Sequence, residues 1–170
     1  KSPEFKDYAP NGLQIEGKTE VRKILAAVTA SQDAIDAAIR ENADLLLVHH
    51  GYFWKGEAYP ITGMRGKRIK SLIQHDISLL AYHLPLDSHP SLGNNAAIAD
   101  LLELERIEAL DPSERHPIGN IGYLKQPMPV EEFKTFVSEK LKFDVTHLPA
   151  DKNMIEKVGF CTGGAQDFIV

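Results

Sequence analysis

Short apolar runs, separated by amphipathic segments, dominate the pattern of this chain. Continuous apolar runs at residues 23–30, 44–49 and 77–82 predict strands buried in a sheet. Between these runs, apolar positions at helical spacing predict helices over residues 31–42 and 65–75. Strand–helix–strand order predicts parallel strands joined by right-handed crossovers.

The pattern changes beyond residue 105. Alternating residues at 13–17 suit a short leading strand, and residues 92–104 suit a helix that closes the first part. Short strands then flank one helix at residues 130–141; we expect these strands at residues 106–110, 120–125, 144–148 and 157–160. The sequence therefore predicts an α/β protein with a mixed or mostly parallel sheet in the first lobe and a smaller inserted α+β lobe. We place the first lobe at residues 1–105, the smaller lobe at 106–157, and the start of a further carboxyl-terminal segment at 158–170.

Composition narrows the classes of function. The 170 residues carry a formal net charge of −5, which argues against a nucleic-acid footprint because such a footprint needs a basic face. The single cysteine, Cys161, excludes an internal disulfide and favours a reducing, cytoplasmic compartment. Since no apolar run approaches ~18 residues, we expect no membrane span.

Ligand-capable side chains follow two of the predicted strands. His49 and His50 end the second buried run, where Gly51 permits the backbone to turn, and His83 and Asp87 follow the third run. The carboxyl ends of neighbouring parallel strands are where such sheets bind ligands. Imidazole and carboxylate groups are ligands for Zn, Fe and Mn. Asp87 is favoured as a ligand because it neutralises the ion, whereas His83 either orients a ligand or donates a proton.

Other polar residues have simpler interpretations. We interpret four further candidate ligands as surface or capping residues: Asp7, Asp111, Asp167 and His147. His75 lies near a helix end, where a dipole contact explains it. Cys161 is interpreted as a small buried thiol rather than a nucleophile. The aromatic residues of the loop at residues 51–66 either cover the site or fill a satellite core or subunit contact, and the sequence leaves both alternatives open.

Six short motifs together resemble a known family. They are Asp7 to Gln14 (DYAPNGLQ), Val28 to Ser31 (VTAS), Val48 to Gly56 (VHHGYFWKG), His83 to Asp87 (HLPLD), Leu92 to Asn95 (LGNN) and Cys161 to Gly164 (CTGG). In this order they closely resemble the YbgI-type, NIF-three-like family, whose members are often labelled GTP cyclohydrolase 1 type 2 homologues.

The resemblance implies a structure and a metal site. It implies two α/β lobes with a dinuclear metal centre in the cleft between them, and a homo-oligomeric ring, usually a hexamer built from dimers. The family's metal ligands map onto His49, His50 and Asp87. The remaining ligands, spaced His-x-x-x-Glu, belong to a carboxyl-terminal part of the family that this sequence does not reach, and we expect the chain to be a fragment of that fold.

The expected function follows from the resemblance and from the chemistry of two ions. We expect a metal-dependent hydrolase that uses two divalent ions (Zn, Fe or Mn) on a nucleotide or related small cyclic compound, with His83 assisting proton transfer. The alternative is a metal-binding scaffold or metal-handling protein without turnover. A third interpretation is a folded but inactive piece.

Overall fold

The protein is described by a computed structural model over residues 5–151 and 153–166. The chain divides into two compact units, Lys1–Leu86 and Asp87–Val170. The first contains a mixed four-stranded sheet and the second an antiparallel three-stranded sheet. The predicted α/β class with two kinds of sheet is confirmed, while the division into segments at residues 105 and 157 stays a prediction.

The first unit is built from two parallel crossovers. Its elements are β1 (Gly12–Ile15), β2 (Ile24–Thr29), α1 (Gln32–Arg40), β3 (Leu45–His50), α2 (Gly63–Gln74) and β4 (Ser78–Ala81). The sheet order is β1-β4-β3-β2, in which β2, β3 and β4 are parallel and β1 is antiparallel to β4. The predicted strand–helix–strand units are therefore confirmed. Ser31 caps α1, because its side chain accepts a hydrogen bond from the backbone N–H of Ala34.

The core of the first unit lies under the two central strands. Leu46 of β3 and Leu79 of β4 are fully buried, together with Ile35 of α1 and Leu72 of α2. This agrees with the continuous apolar runs that predicted the two strands. Burial of this apolar surface is the main stabilising contribution to the unit.

The first predicted buried strand, β2, is an edge strand instead. Ile24 is 57% exposed and Val28 is 70% exposed, although Leu25 and Ala27 pack against the core. Within the sheet β2 pairs with β3 alone, and the described residues leave the face that carries Ile24 and Val28 exposed. The strand predicted at residues 23–30 is confirmed as β2, but its predicted burial was wrong, because an apolar run does not show whether other elements cover both faces of the strand.

The second unit combines an antiparallel sheet with helices. A short helical turn, α3 (Leu84–Asp87), leads into it, and its elements are α4 (Asn94–Leu101), β5 (Glu105–Ala109), β6 (Asn120–Pro129), α5 (Val130–Leu141) and β7 (Met154–Phe160). The sheet order is β5-β6-β7. Its small core contains Ala99, Leu102 and Leu104, with Phe136 and Phe160 packed against them.

The predicted strand at residues 144–148 was wrong. Lys142 ends α5 in the left-handed region with a φ of 54°, and the described chain after it has no regular structure before β7. Val145 donates its backbone N–H to Ser138 Oγ at 3.4 Å, a bond to a helix side chain rather than to a sheet ladder. Among the residues described, no helix has the length and apolar character needed to cross a membrane.

Candidate metal centre

Three imidazoles converge at the carboxyl ends of β3 and β4. His49 and His50 are the last residues of β3, and their ring centroids lie 4.4 Å apart. His83 follows β4, and its ring centroid lies 5.0 Å from that of His49 and 5.7 Å from that of His50. Because the two strands are parallel, their carboxyl ends lie at the same end of the sheet. The structure thus brings together three of the predicted site residues.

Hydrogen bonds fix the tautomer of two of these rings. His49 Nδ1 lies 2.9 Å from the backbone oxygen of Tyr82, and His83 Nδ1 lies 2.7 Å from Asp7 Oδ1. A carbonyl and an ionised carboxylate only accept, so Nδ1 carries the proton in both neutral rings. The lone pair of each ring is then on Nε2, the arrangement found in metal-binding histidines whose other nitrogen is held by an acceptor.

The donor set fits a divalent transition ion. His50 Nδ1 lies 3.1 Å from Thr29 Oγ1, a hydroxyl that either donates or accepts. One ligand-capable atom from each of His49, His50 and His83 lies within 4.8 Å of the others. Neutral imidazoles suit Zn, Fe and Mn, so these side chains match the chemistry of the metal that the sequence predicted.

Asp7 is a site residue that the sequence interpretation missed. Its side chain is only 3% exposed, and it accepts hydrogen bonds from His83, from Asn11 Nδ2 at 2.8 Å and from the backbone N–H of Leu84 at 3.0 Å. Burial disfavours its charged form, but these hydrogen bonds outweigh burial and lower the pKa of Asp7. The surface alternative for Asp7 was therefore wrong, whereas its bonds to the backbone N–H groups of Tyr8 and Leu84 agree with the capping alternative. The available signal was its position in the family-like motif at residues 7–14.

The aromatic loop serves two purposes. Trp54 lies beside the imidazoles, with its ring centroid 4.9 Å from that of His83 at an interplanar angle of 83°, and its Nε1 donates to the backbone oxygen of Gly51 at 3.1 Å. Tyr52 instead belongs to the core, where its hydroxyl donates to the backbone oxygen of Ala30 at 2.7 Å. The position of Trp54 agrees with the first alternative, whereas Tyr52 packs in the main core of the first unit rather than in a satellite core.

Asp87 lies in the second unit. It is buried in α3, and its Oδ1 accepts hydrogen bonds from Asn94 Nδ2 at 2.7 Å and from Thr162 Oγ1 at 3.2 Å. Its role as a metal ligand stays a prediction. Cys161 donates to the backbone oxygen of Ile118 at 3.3 Å, and burial together with the charge of Asp87 raises the pKa of its thiol. A raised pKa disfavours the thiolate, in agreement with a structural thiol.

The remaining candidates have local partners. His147 Nδ1 lies 3.5 Å from Glu131 Oε1, and Asp111 accepts a hydrogen bond from the Ser113 hydroxyl at 2.6 Å. His75 is the C-cap residue of α2, as the dipole interpretation expected. Asp167 lies outside the described residues.

Comparison with known proteins identifies the relatives of this chain. The family model for Duf34/NIF3 (NGG1p interacting factor 3) matches residues 2–170. A protein named GTP cyclohydrolase 1 type 2 homolog from Haemophilus influenzae is 50% identical over 170 residues, which cover 99% of this chain and 67% of that protein. A homologue of the same name from Vibrio cholerae is 50% identical over 173 residues, covering 99% and 68%.

Solved structures agree with the sequence matches. The structure of protein ybgI, described as of unknown function, superposes with a TM-score of 0.88 at 44% identity, over 97% of this chain and 65% of that one. The structure of TTHA1606 from Thermus thermophilus superposes with a TM-score of 0.83 at 32% identity, over 96% and 65%. This chain thus spans 65% of the length of each of these solved chains, and about two thirds of the curated relatives. The predicted resemblance is confirmed, and the chain belongs to the Duf34/NIF3 family.

Proposed function

We propose that this chain carries the metal-binding core of a metal-dependent hydrolase that acts on a nucleotide or a related small cyclic compound. The observation that supports the proposal is the convergence of three imidazoles at one sheet edge, two of them with Nδ1 engaged by an acceptor. The name GTP cyclohydrolase 1 type 2 homolog, given to relatives 50% identical to this chain, suggests the substrate class.

In this proposal His49 holds a divalent ion through Nε2, His50 holds it through one of its two ring nitrogens, and Asp87 is a carboxylate ligand. The nitrogen and oxygen donors suit Zn, Fe or Mn. A second ion per subunit, with ligands beyond this chain, is part of the proposal. A bound ion supplies Lewis acidity, which polarises the bond to be cleaved and favours deprotonation of water.

His83 is the proposed proton-transfer residue. Its bond to the Asp7 carboxylate at 2.7 Å keeps the proton of the neutral ring on Nδ1, so that Nε2 accepts a proton from the reacting group. The negative charge of Asp7 then stabilises the imidazolium that forms, and its hydrogen bond holds the ring in the same orientation. Its burial matters because water would weaken this interaction. Trp54 packs beside the ring and limits its rotation.

Substrate and assembly complete the proposal. The partner is a small-molecule substrate, and the subunits form a homo-oligomeric ring, a hexamer built from dimers. The exposed apolar side chains of the edge strand β2, Ile24 and Val28, provide surface suitable for a subunit contact. Native mass spectrometry of the full-length protein tests this part: a sixfold mass is expected, and a monomer at working concentration would contradict it.

The decisive experiment separates ion binding from turnover. In the full-length protein, divalent ions per chain are measured by elemental analysis, and turnover is measured on a panel of nucleotides. His49→Ala is expected to lose both ions and turnover, whereas His83→Ala keeps the ions and loses turnover by roughly 10²–10⁴-fold. His75→Ala, at the end of α2 away from the imidazole cluster, is the matched control and should change neither quantity.

Two results would change the assignment. Turnover that survives in metal-free protein would remove the hydrolase mechanism. Full ion occupancy with no turnover on the panel, together with transfer of the ion to a client protein, would favour the metal-handling scaffold.

A further inference from the structure

Two sequence motifs unused by the proposed function meet at the carboxylate of Asp87. One is the segment Leu92 to Asn95, and the other is the segment Cys161 to Gly164. We infer that Asn94 and Thr162 are positioning residues that hold the Asp87 carboxylate in a fixed orientation for metal binding. The inference rests on the ligand role proposed for Asp87.

The contacts at Asp87 show how the carboxylate is held. Asp87 is 4% exposed, and its Oδ1 accepts hydrogen bonds from Asn94 Nδ2 at 2.7 Å and from Thr162 Oγ1 at 3.2 Å. The terminal torsion of an aspartate is broad, so a buried carboxylate without such bonds would sample many orientations. Two donors on one oxygen restrict this torsion. Bonds of this kind to ligating carboxylates typically tune metal affinity.

Thr162 is itself anchored by a buried amide. Asn95 is 3% exposed, and its Oδ1 accepts the backbone N–H of Thr162 at 2.8 Å. Asn95 Nδ2 donates in turn to the backbone oxygen of Ile118 at 2.5 Å and to Asn120 Oδ1 at 3.1 Å. Both the oxygen and the nitrogen of the Asn95 side-chain amide therefore form hydrogen bonds. These bonds fix the amide, which in turn holds the backbone of Thr162 in place.

The single hydroxyl proton of Thr162 has two acceptors within reach. Asn95 Oδ1 lies 2.8 Å from Thr162 Oγ1, and Asp87 Oδ1 lies 3.2 Å from it. Asn95 Oδ1 already receives the backbone N–H of Thr162, whereas the carboxylate is an anion that gains more from a donor. Asn95 Oδ1, the nearer acceptor, has a second lone pair for the hydroxyl, so the two acceptors compete for this proton, and a charged Asp87 carboxylate is the stronger acceptor.

Asn94 is directed toward Asp87 by its place in the helix. Asn94 is the first residue of α4, and the N-cap position is occupied by Gly93. An asparagine near a helix start commonly uses its side chain for a local backbone cap. Here the Asn94 side-chain amide instead donates a hydrogen bond to the carboxylate of Asp87, seven residues earlier in the chain.

The test measures zinc affinity in the absence of substrate. Zn²⁺ binding to the full-length protein is followed by competition with a chromogenic chelator for the wild type, Thr162→Val and Asn94→Ala. Each variant is expected to bind Zn²⁺ about 10–100-fold more weakly, the usual effect of removing a group that orients a ligand. Thr162→Ser, which keeps the hydroxyl, should restore most of the affinity. Thr135→Val is the matched control, because the Thr135 hydroxyl bonds a backbone oxygen within α5.

A double-mutant cycle separates positioning from general structure. If Asn94 acts through Asp87, Asn94→Ala has no further effect on Zn²⁺ affinity in the Asp87→Asn background. An equal loss in both backgrounds, or a Thr162→Val protein with wild-type affinity, would overturn the inference. Since no turnover enters this test, a protein with the expected affinities and no hydrolysis would refute the proposed function and leave the inference standing. A wild-type protein that binds none of Zn²⁺, Fe²⁺ and Mn²⁺ would overturn both.

Discussion

The bond between Asp7 and His83 gives a sharp test of the proton-transfer mechanism, through the variant Asp7→Asn. In the wild type, Oδ1 of Asp7 faces His83 Nδ1 at 2.7 Å, and Oδ2 accepts from Asn11 Nδ2 at 2.8 Å and from the backbone of Leu84 at 3.0 Å. An asparagine offers one oxygen and one NH₂ group in the same space. We expect the orientation in which its oxygen keeps the two donors from Asn11 and Leu84. Its NH₂ group then faces His83 and leaves the backbone N–H of Tyr8, which lies 2.6 Å from Asp7 Oδ1 in the wild type, without its acceptor.

The imidazole is expected to relieve this conflict by changing its tautomer. His83 Nδ1 becomes an acceptor and its proton moves to Nε2, the atom proposed to accept the proton of the reacting group. The bonds that remain lose their charge assistance, which lowers the free energy of unfolding by about 2–4 kcal/mol in total. For a chain of this size the melting temperature should fall by roughly 5–15 °C. Turnover should fall by roughly 10²–10⁴-fold while bound ions are retained.

The tautomer can be measured directly. Long-range ¹H–¹⁵N correlation spectra of the imidazole rings distinguish Nδ1–H from Nε2–H, and the full-length wild type and Asp7→Asn proteins are compared at neutral pH. Asp111→Asn is the matched control, because Asp111 is an exposed aspartate that bonds Ser113. If His83 in Asp7→Asn still carried its proton on Nδ1 and turnover were unchanged, the proposed role of Asp7 would be refuted.

Three further predictions concern stability. Hydrogen bonds from Lys18 and two backbone groups lower the pKa of Asp44 from 3.8 to about 2. The contribution of Asp44 to the free energy of unfolding is therefore present above pH 4 and is lost as pH falls toward 2. The difference in melting temperature between wild type and Asp44→Asn should shrink over that interval, and a constant difference would contradict this prediction. Tyr52→Phe leaves the buried backbone oxygen of Ala30 without its 2.7 Å donor and should cost about 1–3 kcal/mol in urea unfolding, whereas an unchanged midpoint would show that the bond is not needed. Gly17→Ala places a Cβ against the backbone oxygen of Asp76, so the free energy of unfolding should fall by about 1–3 kcal/mol. Wild-type stability would mean that the backbone shifts to accept the Cβ at no cost.

The local elements of the first unit were predictable from consecutive residues. The apolar runs that became β3 and β4 and the helical spacing that became α1 and α2 encode these elements within windows of a few residues. The placing of His49, His50 and His83 at strand ends followed from the same pattern, since parallel neighbours end at one edge. The approach of the three rings was therefore an expectation that the structure confirmed.

The residues of a strand did not by themselves predict its position in the sheet. The apolar run that became β2 resembles those of β3 and β4, yet Val28 is 70% exposed because the described residues leave one face of this edge strand uncovered. Residues 144–148 contain the strand-favouring Val145 and Thr146, but they follow a helix that ends at a left-handed Lys142, and Val145 bonds back to Ser138. In both cases tertiary contacts, rather than propensity, decided the outcome.

By itself, the sequence determined the order of elements in the first unit, the family and the imidazole cluster, because each depends on short-range patterns or on motifs that can be matched directly. Only the tertiary structure showed which distant groups form hydrogen bonds to His83 and Asp87. The carboxylate of Asp7 reaches His83 across 76 residues, and the hydroxyl of Thr162 reaches Asp87 across 75. The partner of a polar side chain depends on which distant segments folding brings within about 3 Å, and no local pattern of apolar and polar residues specifies that distance.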